Sequence, residues 1–196
     1  MNRPIWCIKS DTLFRKNKFL GFKTDDPEDY LDLITNYSEF RERDLLETDP
    51  SYKQIIPQII IRHKNKYLLH KIDSKGNESR LHNLWPIFVG GHVDLIDSES
   101  DNIVEAAINR ELAEEVTING SITTRKFLGL IYIENDNPVN HVHIGLVYIY
   151  DIDTFDVVSN EEEIADMRFV TLNYLQKNIS RLTYWSRVVV ESGIFV

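Results

Sequence analysis

An α/β (α+β) fold is what this sequence predicts, and three observations predict it. Apolar runs of strand length recur on both sides of the chain's midpoint. Between them, Val104, Ala107, Ile108, Leu112 and Val116 follow helical spacing. Polar turns containing Asn, Gly or Pro separate the runs.

With 196 residues, 42% of them hydrophobic and 27% charged, the chain can build one domain with a sizeable core plus an appendage. We expect residues 1–54 to be an N-terminal appendage or cap, and 55–196 to be the main domain including C-terminal helices. The longest uninterrupted apolar runs, Ile59-Ile60-Ile61 and Val188-Val189-Val190, are far too short to span a bilayer. Cys7 is the sole cysteine, which excludes an internal disulfide and a multi-cysteine zinc site. With no signal-peptide pattern at the start, a cytoplasmic location is the expectation. The formal charge of −9 argues against a nucleic-acid polymer as partner. It leaves room for a small anionic substrate only where a metal or local arginines offset the field.

Taken in order, Pro4–Lys9 predicts a short strand. Asp26-Pro27 predicts a helix start, with Asp as N-cap and Pro at the first helical position, running to near Asn36. Ser38–Pro50 is charged. It reads either as a solvated connector or as a place where Arg41, Arg43 and, just beyond, Lys53 face an anionic ligand. Ile55–Ile61 and Lys66–Ile72 predict two strands joined at His63-Lys64-Asn65. Leu84–Val89 is a further apolar run that ends at Gly90-Gly91, a pair free to adopt positive φ.

The helix over Val104–Glu115 carries the strongest signal. At about 100° per residue, Glu111 and Glu115 fall within roughly 20° of Val104, inside the apolar stripe, with Glu114 at its edge. Two unit charges about 6 Å apart at an effective dielectric near 20 repel by roughly 3 kcal/mol. An i,i+4 pair on a helix surface involves only about 0.2–0.5 kcal/mol. A bound divalent cation relieves that repulsion, as does protonation, and Mg2+ suits an all-oxygen donor set. The plainer reading is a solvated face with Arg110 and Glu114 as an i,i+4 pair.

Beyond Gly120, Arg125–Ile133 and His141–Asp151 predict long strands around the turn Glu134–Pro138. His141 and His143 share a face of the second strand, as a metal pair or as ordinary hydrogen-bonded histidines. Asn160–Glu163 reads as a solvated acidic turn before a short strand, Met167–Thr171. A Thr171-capped helix over Leu172–Lys177 and a Ser180-capped helix over Arg181–Glu191 close the chain near Gly193.

At Gly91 and Arg110-Glu111-Leu112-Ala113-Glu114-Glu115 the sequence resembles the Nudix hydrolases. Their motif is a Gly, five residues, a Glu, seven residues, then Arg-Glu-aliphatic-any-Glu-Glu-any-Gly-aliphatic. Its second half matches at Arg110, Glu111, Leu112, Glu114, Glu115 and Ile118, and Leu84-Trp85, Asp94 and Ala106-Ala107 fit its surroundings. The likeness extends over about residues 55–180. The Gly-Gly-His turn and Tyr52–Pro57 are similar to a branch described as predicted phosphoesterases. The sequence departs from the motif in three places. Eighteen residues, positions 92–109, stand where the motif has thirteen, leaving Asp97 and Glu99 as candidates for its first Glu. Thr117 replaces the second Gly, and Val89 replaces the Pro that often precedes the glycines.

The resemblance implies an α/β/α sandwich with a mixed sheet. It also implies Mg2+- or Mn2+-dependent hydrolysis of a phosphoanhydride in a nucleoside diphosphate linked to another group. On that likeness Gly91, Glu111, Glu114 and Glu115 hold the metal and Arg110 fixes the helix electrostatically. A general base comes from a later loop, with Glu163 the first candidate and Glu134 the second. A nucleotide-binding module without hydrolysis is the alternative. An isomerase of allylic diphosphates would need a reactive cysteine nearby, and only Cys7 is available. Trp85, Tyr132 and Tyr52 read as base-stacking or core aromatics. The partner expected is a small phosphate-containing anion with no membrane involved, the chain being monomer or homodimer.

Overall fold

The computed structural model describes residues 3–72, 84–161 and 164–195. The main sheet runs β10-β5-β4-β8-β7-β2, with β1 and β3 joined to it through β1. Here β1 is Pro4–Lys9, β2 Gly21–Lys23, β3 Glu39–Glu42, β4 Tyr52–His63, β5 Lys66–Ile72, β7 Ile122–Tyr132, β8 His143–Ile152 and β10 Ile164–Thr171. A second sheet pairs β6, Val116–Ile118, with β9, Val157–Ser159. The helices are α1 Ser10–Leu13, α2 Pro27–Tyr37, α3 Arg43–Leu46, α4 Ile103–Glu115, α5 Leu172–Lys177 and α6 Tyr184–Glu191. The chain divides into two compact units.

The first unit comprises Met1–Gln58, Gly91–Asn109 and Phe127–Val147. Strand β1 is buried along most of its length because it has strands on both sides. It pairs with β3, Trp6 opposite Phe40, and with β4, Cys7 opposite Gln54. Strand β1, and through it β3, is therefore stitched to β4 by a backbone ladder. Ser38–Pro50 is no loose connector, since it forms β3 and α3. Its cations are engaged: Arg41 pairs with Glu39 at 3.1 Å and stacks on Tyr52, and Arg43 pairs with Glu47 at 2.9 Å. Lys53 lies inside, donating to the Pro50 carbonyl, and burial lowers its pKa to about 8. Asp26 stands before α2 as expected, but in the left-handed region (φ 47°) and with no side-chain cap bond. Pro27 at the first helical position starts the helix. Gly129 is required where β2 meets β7, since a Cβ there would lie 2.1 Å from the Lys23 carbonyl oxygen.

The second unit comprises Ile59–Gly90, Arg110–Lys126 and Tyr148–Val196. Lys64 and Asn65, at φ 46° and 59°, make the two-residue turn that closes the β4–β5 hairpin. Arg62 grips Asp151 bidentately at 2.6 and 3.0 Å. Leu84–Val89 is not a regular strand. It is held at isolated points, with Trp85 bridging Leu182 and Val89 bridging Ile59. Ile87 N–H donates to the buried Ser186 hydroxyl at 3.1 Å. Engaging Leu182 with Trp85 is also why the last helix does not begin at Arg181. A 3-10 turn spans Ile179–Arg181, and α6 starts only at Tyr184. Thr171 caps α5 as predicted, accepting from Tyr174 N–H.

Candidate active site

Helix α4 is amphipathic in the way its spacing predicts. Val104, Ala107, Ile108, Leu112 and Val116 are all buried, and Val116 already belongs to β6. The wheel also places the acids correctly by depth: Glu111 is buried, Glu115 half-buried and Glu114 exposed.

Two of these side chains share one cation. Arg110 Nη1 meets Glu111 Oε1 at 2.6 Å and Glu114 Oε2 at 3.3 Å. Glu115 turns elsewhere and accepts the Gly90 N–H at 2.9 Å. Gly90 has φ 140°, a conformation that side-chain-bearing residues rarely adopt, so glycine is what lets this amide face the helix. The adjacent Gly91 lies in the first unit.

Burial pushes the Glu115 carboxyl up to about 8, and the charges of Glu111, Glu161 and Glu114 push in the same direction against the Gly90 hydrogen bond. A carboxyl in that position needs either a proton or a cation. The donors are all oxygens, which fits a hard divalent ion such as Mg2+. Among the described residues, no three His, Cys, Asp or Glu side chains converge as a ready-made metal cluster. Arg110 stands on two of the three acids instead.

Glu161 and Asn160 were not legible as parts of this site. In the sequence they look like a solvated turn, and both are exposed. Yet Asn160 N–H donates to the Glu115 carbonyl at 2.8 Å, and its side-chain amide donates to the Ala113 carbonyl at 2.9 Å. No periodicity links residues that far apart; only the β6–β9 pairing brings them together. Glu163 lies outside the described residues. Glu134, in the first unit, is bonded by Lys18 and by the Tyr132 hydroxyl, which hold its pKa low. A carboxylate so engaged is a poor proton acceptor.

Thr117 is no strained substitute for a glycine. It sits in β6 opposite Val158, with no left-handed φ, so this helix end needs no glycine there. The lengthened loop is ordered as well. Asp94 and Asp97 form a reciprocal capping box on the 3-10 turn Leu95–Glu99, and Asn102 caps α4 through Glu105 N–H. Asp97, a candidate for the motif's first Glu, is thus buried in a capping role.

The remaining candidates resolve as structure. His141 lies in a 3-10 turn, bonded to the Asn135 carbonyl, and His143 on β8 is bonded to the Val139 carbonyl, so they do not share a strand face. Trp85, Tyr132 and Tyr52 are buried in the core rather than open for stacking on a base. Cys7 is buried, its thiol pushed up to about 12, and so is inert as a nucleophile. Among the described residues, no helix is long and apolar enough to cross a membrane.

Comparison with known proteins matches this frame. A family model described as the NUDIX domain covers residues 56–191. Protein YmaB of Bacillus subtilis (strain 168) is 31% identical over 205 residues, spanning 97% of each chain. The crystal structure of Tm1382, a candidate Nudix hydrolase, superposes with a TM-score of 0.80 at 28% identity, over 97% of this chain and 98% of that one. The NUDIX domain of Shewanella oneidensis NrtR, complexed with ADP ribose, shares the fold at a TM-score of 0.55 and 14% identity, over 82% and 94% of the two chains. The mixed α/β fold expected from the motif is thereby borne out, and the chain belongs to the Nudix family.

Proposed function

We propose that the protein is a divalent-metal-dependent hydrolase. Its bond is a phosphoanhydride in a nucleoside diphosphate linked to another group. Family membership supports hydrolysis of this kind. On this chain the reading is carried by Glu115, whose carboxyl is pushed up to about 8 by burial and by neighbouring acids. Such a carboxyl is settled either by a proton or by a cation, and the all-oxygen surroundings suit a hard divalent ion. Glu111, Glu114 and Glu115 would hold Mg2+ or Mn2+. When bound, such an ion neutralises phosphate oxygens and lowers the pKa of a bound water. Arg110 keeps the acidic helix face together by pairing with Glu111 and Glu114. The Gly90 N–H orients Glu115. Outside the motif, Glu161 is a described acid whose charge reaches Glu115, and Glu163 stays a candidate base. The substrate is a small phosphate-bearing anion rather than a nucleic-acid polymer, and the setting is cytoplasmic.

The test is a phosphate-release screen with Mg2+ over nucleotide sugars, ADP-ribose, dinucleoside polyphosphates and nucleoside triphosphates. Turnover of a diphosphate-linked substrate that stops on chelation is the expected result. No turnover of any substrate, together with no Mg2+ binding by calorimetry, refutes the reading.

A second reading is favoured by one specific observation. Arg110 already occupies Glu111 and Glu114, so the same fold would suit a nucleotide-binding module without hydrolysis. That module would return its ligand intact after long incubation. Mg2+-dependent turnover that disappears in Glu114→Gln eliminates it.

A further inference from the structure

We infer that Asn160 is a positioning residue whose side chain clamps the C-terminal turn of α4 and so sets where the Glu115 carboxylate points. The inference rests on the reading of Glu115 as an acid of the hydrolytic site.

The last four carbonyls of any helix lack intrahelical partners. The common remedy is a left-handed glycine just past the end, which folds the chain back onto them. Here the chain passes directly from Glu115 into β6, and the position where the motif has its glycine is Thr117, paired opposite Val158. The orphaned carbonyls are met from elsewhere in the sequence. Asn160 gives its side-chain N–H to the Ala113 carbonyl at 2.9 Å and its backbone N–H to the Glu115 carbonyl at 2.8 Å. Its remaining side-chain oxygen accepts the Thr117 hydroxyl at 2.8 Å. One residue therefore makes three bonds to the segment 113–117.

That geometry demands a donor and an acceptor on two separate atoms of one short side chain, which among the common residues means an amide. Asp would lose the bond to Ala113 and add charge beside three acids; Ala would lose both side-chain bonds. Threonine at 117 complements this, because its hydroxyl supplies what the amide oxygen needs. Glu115 is thereby held at two ends. Gly90 N–H fixes the carboxylate, and Asn160 fixes the backbone that carries it. The same clamp sets the position of the next residue, Glu161, whose charge reaches Glu115.

The experiment uses the full chain and Mn2+ as probe, without substrate. Mn2+ affinity is read by electron paramagnetic resonance, and the exchange of the residue-160 amide by NMR. Asn160→Ala should weaken Mn2+ binding about tenfold, within the range expected for a residue supporting a metal ligand. Thr117→Val should weaken it less. In a Glu115→Gln background, Asn160→Ala should change the affinity by less than about twofold, because the effect runs through Glu115. The amide at 160 should exchange at least about tenfold faster in Asn160→Ala, as local opening of the clamp becomes easier. Wild-type Mn2+ affinity in Asn160→Ala, or an equal loss in both backgrounds, overturns the proposal. If the wild-type protein binds no Mn2+, the metal reading fails by itself. The clamp is then judged by exchange, and an unchanged rate at residue 160 refutes it.

Discussion

Two groups of acids sit near the two ends of α4, and they are answered in opposite ways. Before the helix, Asp97 accepts the Asp94 N–H at 2.8 Å, and Asp94 is paired with Arg3. Both are buried, and both have donors built for them. At the other end, Glu111 and Glu114 pair with Arg110, Glu115 accepts the Gly90 N–H, and the charges of Glu111, Glu161 and Glu114 all bear on Glu115. A buried carboxylate that accepts backbone hydrogen bonds stabilises the fold that holds it. One raised to about 8 by burial, with neighbouring acids adding to it, is costly to ionise, which marks Glu115 as a functional candidate. The first group is accounted for by the fold, and the second is where the proposed cation would be held.

The largest expected effect breaks that contrast from the functional side. Glu115→Gln should lower hydrolysis by more than about 100-fold, because a metal ligand is lost, while thermal stability stays level or rises as like-charge repulsion is removed. Calorimetry beside a phosphate-release assay checks both. A large fall in Tm would mean that Glu115 is structural after all.

Asp97→Ala is the converse. Removing a capping carboxylate costs about 1 kcal/mol. In a chain of this size that is a fall in Tm of about 2–4 °C. Mn2+ affinity should not move. A loss of metal binding without a loss of stability would place Asp97 in the site rather than in the cap.

Asp151 sharpens the comparison through pH. The hydrogen bond from Arg62, seconded by Thr124, holds its carboxyl below the usual range. A carboxyl depressed in the folded state contributes stability at all pH values above its unfolded pKa, near 3.9, and loses it as pH falls through the folded value. Acid unfolding of Asp151→Asn should therefore be less steep below about pH 4 than that of the wild type. Equal slopes would show that the Arg62 pair is not part of the acid limb.

The smallest effect concerns Thr117→Gly, which restores the motif residue. Since Thr117 is a strand residue with ordinary φ, glycine should destabilise by about 0.5–1 kcal/mol rather than help. A gain in Tm would mean that the helix end prefers the left-handed closure.

The parts of the molecule legible in the sequence are those governed by local period. Val104, Ala107, Ile108 and Leu112 announced α4 and its buried face, and the wheel put Glu111 and Glu115 deeper than Glu114. The β4–β5 hairpin was visible in its turn. What escaped was set by partners distant in sequence. Glu39–Glu42 looks like a charged connector until β1 pairs with it. Leu84–Val89 looks like a strand until its bonds prove to go singly to Leu182, Ile59 and Ser186. Asn160 looks like a turn residue until the β6–β9 pairing carries it to Ala113.

Everything proposed for the crowded end of α4 turns on whether it holds a divalent cation. Titrating Mn2+ into the wild-type chain and into Glu115→Gln, with free Mn2+ followed by electron paramagnetic resonance, tests it most directly. Saturable binding by the wild type that weakens by at least about tenfold in the variant is expected. Equal binding by the two chains, or no saturable binding by the wild type, would contradict it.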